Sequence, residues 1–211
     1  MAAVVKGTPE QRAKYTNDRM KALGKGRVLK AQEVCREGAP DQISGRLAIA
    51  FSFRETGGRN VLGDKEFEKQ IWHARGAFQI YDSFHWPFLK SVVGCPGSKL
   101  IPEFTRINWI PVKGTTAAMP LMVPTWEDGC RYYVKIINGH IESAYRAGVR
   151  SPSDQLVIAA NAYNCGFKKA LLGYEEGEPD KYTTLANYST DVLLRAEEIG
   201  VWLREHPNWL L

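Results

Sequence analysis

The sequence predicts a mainly α-helical protein of one domain, 1–211, carrying an extended proline-rich insertion at 96–126. Three observations support that expectation. Cys130, Val134, Ile137, Ile141 and Ala144 recur at spacings of four, three, four and three, the apolar stripe of an amphipathic helix. Thr8-Pro9-Glu10-Gln11 and Ser151-Pro152-Ser153-Asp154 each put a capping hydroxyl before a proline at the first helical position. Glycines stand where helical patterns stop, at Gly24, Gly57-Gly58 and Gly148.

Taken in order, a first helix runs from Pro9 to about Leu23, and its Lys, Arg, Gln and Asn content suggests a surface appendage. A second, short helix spans Arg27 to Arg36, so that 1–40 forms a helical N-terminal appendage. Gly38-Ala39-Pro40 breaks the chain before the next helix. That helix opens at Asp41, sets Ile43, Leu47, Ala50 and Phe51 on one face, and ends at Gly57-Gly58. A charged and aromatic stretch follows from Lys65 to Arg75. From Asp82 a helix carries Phe84, Phe88, Leu89 and Val92, and Gly94-Cys95-Pro96-Gly97 turns it. Five prolines (Pro96, Pro102, Pro111, Pro120, Pro124) and few periodic signals make 96–126 a loop lying over the main lobe. Glu127 to Ala147 is the clearest helix. The helix after Ser151 is apolar through Leu156, Val157, Ala159 and Ala160 and delivers Tyr163 and Asn164 at its end. A last helix spans Tyr188 to Glu205, with Val192, Ala196, Ile199 and Leu203 as its buried stripe.

A hydrophobic fraction of 44% with 24% charged residues is ordinary for a soluble globular chain able to bury a core. No apolar run approaches the length needed to span a membrane, so stable membrane insertion is not expected. The start, MAAVVKGTPEQ, has no basic residue ahead of its short apolar run and lacks the form of a secretory signal peptide, which implies synthesis in the cytoplasm. The net charge of +5 favours polyanionic surroundings. Lys and Arg are scattered without a compact basic run, so a nucleic-acid partner is not expected. The four cysteines (Cys35, Cys95, Cys130 and Cys165) show no CxxC pair or zinc spacing, and three pairings are open. In a reducing compartment they serve as small buried hydrophobes.

Glu55 draws attention on physical grounds. It sits in the last turn of a mostly apolar helix, near the negative end of the helix dipole, where location and partial desolvation both favour a protonated carboxyl. A neutral carboxylic acid near working pH is what general-acid catalysis requires.

Phe53-Arg54-Glu55-Thr56-Gly57-Gly58 resembles the helix-end glutamate motif of the goose-type lysozymes and soluble lytic transglycosylases, and Leu62-Gly63-Asp64 their Gly-Asp element. Arg75-Gly76-Ala77-Phe78-Gln79-Ile80 is similar to their Gly-Leu-Met-Gln segment, and His85 falls where the goose-type pattern has histidine. Asn161-Ala162-Tyr163-Asn164-Cys165-Gly166 resembles their Ala-Tyr-Asn-Ala-Gly motif. Tyr182-Thr183-Thr184 and Tyr188-Ser189-Thr190-Asp191-Val192 resemble the closing segment. The likeness runs in the family's order over roughly 41–200.

The resemblance implies a lysozyme-like helical domain with a small β-hairpin or loop region lining a cleft. It also implies a monomer acting on bacterial peptidoglycan without metal or organic cofactor, and a bacteriophage lysin released without a signal peptide. Cleavage would fall at the β-1,4 bond between N-acetylmuramic acid and N-acetylglucosamine, with Glu55 as acid. Substrate contacts are implied for Gln79, Tyr163, Asn164, Ala162 and Gly76, with the Tyr163 hydroxyl orienting Glu55. Goose-type hydrolysis adds aspartates that hold water. Asp64 matches the first, but Tyr81 stands where the second is expected. Asp82, next to it, is either the shifted second aspartate or a helix cap. Lytic transglycosylases instead use one glutamate and close an anhydro ring on the muramic sugar. An inactive wall-binding or virion protein is the alternative from another class. Trp109 and Trp126 either stack on sugar rings or pin the insertion to the core.

Overall fold

Thr8 starts the first helix as its residue type suggests. In α1 (Pro9–Leu23) the Thr8 hydroxyl accepts from Gln11 N at 3.3 Å, and Thr8 N donates to the Gln11 side chain at 2.9 Å. The computed structural model describes residues 7–38, 43–59, 62–66, 71–81, 104–111 and 118–210. α2 (Lys25–Gly38) follows at once. The two helices are not an appendage: Met20, Val28 and Ala31 are fully buried, because a narrow apolar stripe is enough to dock an otherwise polar helix.

α3 (Gly45–Thr56) begins later than the Asp41 expected. Ser44 is its cap, accepting from Leu47 N at 3.4 Å, while Asp41 lies outside the described residues. Gly45 has a packing reason: a Cβ there would lie 2.8 Å from the backbone nitrogen of Gln32 in α2. Every residue from Leu47 to Phe53 is buried, so α3 is the central helix rather than one with a single apolar face. Its end is as predicted. Gly57 takes the left-handed conformation (φ 67°), and the Gly57 and Gly58 amides bond to Phe53 O and Ser52 O at 3.0 and 2.9 Å.

Past α3 the backbone forms β1 (Leu62–Glu66), β2 (Ile71–Arg75) and β3 (Ile80–Tyr81), antiparallel in that order. The expectation of an irregular 96–126 loop is corrected in part. β4 (Phe104–Pro111) and β5 (Ala118–Pro124) pair as an antiparallel ribbon with an irregularity between Arg106 and Asn108. A two-stranded ribbon has only edge strands, where proline's missing N–H is tolerated, so the prolines were poor evidence for a loop. Trp126 belongs to neither strand nor loop, being the first residue of α4 (Trp126–Arg146). The helix expected from Asp82, with Phe84, Phe88, Leu89, Val92 and the turn at Gly94-Cys95-Pro96-Gly97, lies outside the described residues.

The α4 stripe of Cys130, Val134, Ile137, Ile141 and Ala144 is buried throughout. α5 (Pro152–Cys165) starts at a Ser151 cap. α6 (Phe167–Glu175) was not anticipated: it has no side-chain cap and buries only Ala170 and Gly173, too little to set a period. α7 (Tyr188–Glu205) has the predicted bounds and stripe. Among the described residues the protein is therefore mainly α, with seven α-helices. α3 packs on α2 and α7, α2 also on α4, and α5 on α4, α6 and α7, while α1 closes the far side of α7. One large core joins these helices, and a smaller cluster of Ala144, Val149, Ile158, Ala162 and Ala170 sits under α6. Cys35 and Cys130 are buried free thiols, as expected of small hydrophobes, and Cys165 is a half-buried one. Cys95 lies outside the described residues.

Candidate active site

The last turn of α3 presents Glu55 half-buried, and the Tyr188 hydroxyl from the first turn of α7 donates to its Oε1. One turn below, the Phe51 ring supports the pair. Its centroid lies 4.6 Å from Tyr133, 5.5 Å from Tyr163 and 6.0 Å from Tyr188. Offset and edge-on aromatic contacts of this kind fix ring positions. Burial, and then the negative charge of Glu55, push the phenols of Tyr163 and Tyr188 well above their ordinary range near 10. Both remain neutral at any working pH, so Tyr188 is a lasting donor to the carboxyl group.

The segment from Gly76 to Gln79 turns beside this acid. Gly76 (φ 78°) and Gln79 (φ 48°) both take left-handed backbone, and Gln79 N and Nε2 donate to Gly76 O at 3.2 and 2.9 Å. Two bonds stitch the turn to the helices. Thr56 Oγ1 donates to Ala77 O at 3.0 Å, and Tyr163 OH donates to Phe78 O at 2.6 Å. Phe78 is fully buried, stacked on Tyr133 and packed against Trp126 at 5.4 Å. Of the two roles open to Trp126, the structure gives it the packing one.

Several expectations shift accordingly. The Tyr163 hydroxyl, expected to orient Glu55, donates to Phe78 O, and the Tyr188 hydroxyl donates to Glu55. Ala162 is fully buried in the smaller cluster, where its methyl cannot meet a ligand. Asn164 faces the chain: its Oδ1 accepts from Thr184 N at 2.8 Å. Asp64 is placed by its backbone, in β1 between Gly63, paired with Ala74, and Lys65, paired with Trp72. Trp109 is likewise placed by its backbone, opposite Pro120. Asp82 and His85 lie outside the described residues.

A polar frame behind the site ties the two helix ends together. Arg54, next to Glu55, donates to Asp191 Oδ2 at 3.1 Å, Asn187 Oδ1 at 3.1 Å and Thr184 O at 3.3 Å, and its guanidinium lies 5.2 Å from the Tyr188 ring centroid. The same Asp191 oxygen also accepts from Arg195 Nε at 2.7 Å. The first turn of α7 is capped from a distance. Asp180 accepts from the amides of Ser189 and Thr190 at 2.7 and 3.3 Å and from both hydroxyls, while Asn161 Oδ1 accepts from Ser189 N at 3.0 Å. Asn187, the residue preceding α7, makes no side-chain cap bond. This frame is what places Tyr188.

A hollow of about 580 Å³ lies between α1 and the C-terminal half of α7, and its Glu198 is paired with Arg12 at 2.7 Å. Among the described residues no group of three His, Cys, Asp or Glu side chains is placed to hold a metal ion, and no helix is long and apolar enough to cross a membrane. No known protein-family model matches the chain, and no curated protein matches its sequence.

Proposed function

We propose that this protein is a peptidoglycan-cleaving muramidase that hydrolyses the β-1,4 bond between N-acetylmuramic acid and N-acetylglucosamine. The observation that carries the reading is the setting of Glu55, a half-buried carboxyl at a helix end, bonded to a neutral phenol and flanked by the turn of Gln79. Three stretches distant in sequence, ending in Glu55, Gln79 and Tyr163, meet there. They are the stretches whose motifs resemble the goose-type lysozymes and lytic transglycosylases, and that resemblance supplies the substrate.

In this reading the protonated Glu55 carboxyl delivers its proton to the glycosidic oxygen as the bond to the anomeric carbon breaks. Tyr188 fixes the orientation of the carboxyl group and donates to the carboxylate left behind. The Gln79 amide offers both donor and acceptor to an N-acetyl group. Asp64 is the carboxylate assigned to orient or deprotonate the attacking water, with Asp82 as the candidate second one. Gly76 and Asn164 are the remaining candidate substrate contacts, and Asn164 Oδ1 also holds Thr184 N.

A second reading, the lytic transglycosylase, is favoured by how the other acids near this frame are used. Asp191 is committed to two arginines and Asp180 to the start of α7, so among these described side chains Glu55 alone is set for acid chemistry. A single glutamate is sufficient when the muramic hydroxyl closes an anhydro ring.

Clearing of a peptidoglycan suspension tests the shared core of both readings. Glu55→Gln keeps size and polar contacts but has no proton to give, so clearing should fall by about a hundredfold or more with the circular dichroism spectrum unchanged. Near wild-type clearing by that variant would remove Glu55 from the chemistry. A wild-type protein that binds the suspension without clearing it would support the wall-binding alternative.

A further inference from the structure

The turn Thr184–Ala186 holds a leucine in a conformation that leucine rarely adopts. Leu185 has φ 64° and Ala186 φ 47°, both in the left-handed region where a Cβ crowds the following carbonyl. The turn is pinned all the same. Thr184 N donates to Asn164 Oδ1 at 2.8 Å, Arg54 donates to Thr184 O at 3.3 Å and to Asn187 Oδ1 at 3.1 Å, and Ala186 N donates to Thr183 O at 3.0 Å. These anchors belong to the neighbours of Glu55 and Tyr163, so the turn stands at the rim of the candidate active site. Leu185 is 70% exposed, the most open of the large apolar side chains among the described residues.

Glycine or asparagine would relax this backbone, so the turn itself does not call for leucine. Water does not favour an open isobutyl group either. Strain persisting at a site rim is accounted for when the strained side chain meets a ligand. We infer that Leu185 is an apolar contact for the peptide-bearing arm of the muramic residue. The inference rests on the glycan-cleaving reading above and adds a specificity determinant to it. A sugar ring presents hydroxyls and an acetamido group, whereas the peptide begins, beyond the lactyl ether, with the methyl group of an alanyl residue. The arm leaves the ring at O3, away from the bond being cut, and so reaches the rim rather than the floor that holds Glu55.

Leu185→Asn and Leu185→Met separate side chain from backbone, because asparagine tolerates the left-handed turn and methionine keeps the apolar surface. Turnover is measured on peptide-bearing glycan and on glycan stripped of its peptides by an amidase, and binding by co-sedimentation with intact peptidoglycan in a Glu55→Gln background. Leu185→Asn should raise KM for the peptide-bearing glycan by about tenfold, leave kcat within about twofold, and leave Tm unchanged or higher. It should match the wild type on the stripped glycan. Leu185→Met should stay within about twofold of the wild type on both. An unchanged KM and unchanged co-sedimentation for Leu185→Asn would overturn the inference. So would an equal loss on both substrates, which would put the contact on the sugar or its lactyl ether. Wild-type protein with no turnover on either substrate would sink the cleavage reading alone, because co-sedimentation still reports on Leu185.

Discussion

Glu55 and Tyr188 form the bonded pair on which the proposed chemistry turns, and each makes a separable prediction. A phenol that donates to a carboxylate favours its ionised form. Tyr188→Phe keeps the ring against Phe51 and removes only that donation. The hydrogen bond is to a charged group, so its loss should lower kcat by about tenfold, with Tm reduced only slightly. In the proposed reading Glu55 acts in its protonated form, so activity should fall on the alkaline side in the wild type. Without the phenol the proton is held to higher pH, and that alkaline limb should move upward in Tyr188→Phe. The limb cannot come from the phenols, whose own titration lies well above 10. An unshifted limb with unchanged kcat would show that Tyr188 is packing only. The position of Glu55 at a helix end was legible in the sequence because its signals are local: an apolar helix, a glutamate in its last turn, two glycines after it. The partner was not. Tyr188 reaches Glu55 across most of the chain, and no spacing rule connects a tyrosine at one helix start with a glutamate at another helix end.

The helices place these residues, and α7 does so through a cap drawn from outside itself. Asp180 takes the amides of Ser189 and Thr190 and both of their hydroxyls, so the turn that begins with Tyr188 is fixed by a residue eight positions earlier. Asp180→Ala should cost about 1–2 kcal/mol of stability, as for loss of a helix cap. Because Tyr188 leads the affected turn, activity should fall further than the stability loss accounts for. Equal thermal stability and activity in the variant and the wild type would contradict this role. Element boundaries were readable where capping chemistry is written locally, at Thr8, Ser151 and Gly57. They were missed where tertiary packing decides. Gly45 opens α3 because α2 passes too close for a side chain, and glycine is otherwise a poor helix residue. The prolines of 104–124 looked like loop residues because their tolerance on an edge strand depends on having a single partner strand.

At the scale of the whole molecule, α3, buried from Leu47 to Phe53, is wrapped by α2 and α7, and three buried phenols converge on its Phe51. Tyr133, Tyr163 and Tyr188 all have folded-state pKa values raised well above 10, chiefly by burial. In the unfolded chain they ionise near 10, so above that pH the folded state binds more protons than the unfolded one. Their contribution to stability is fully present below about pH 10 and is lost as pH rises beyond it, by about 1.4 kcal/mol per pH unit for each phenol. Urea midpoints at pH 9, 10 and 11 should therefore be level and then fall steeply; a level series through pH 11 would mean the phenols are not buried. The polar N-terminal helices were misjudged as an appendage because composition averages over a helix, whereas docking needs only the stripe that includes Met20 and Leu23. The central claim, that Glu55 drives cleavage of the glycan strand, is tested most directly by mass spectrometry of the fragments released from purified peptidoglycan. The account predicts muropeptides ending in reducing N-acetylmuramic acid from the wild type and none from Glu55→Gln. Fragments lighter by one water would transfer the claim to the transglycosylase reading. The absence of any glycan fragment from the wild type, or fragments cut only in the peptide, would contradict it.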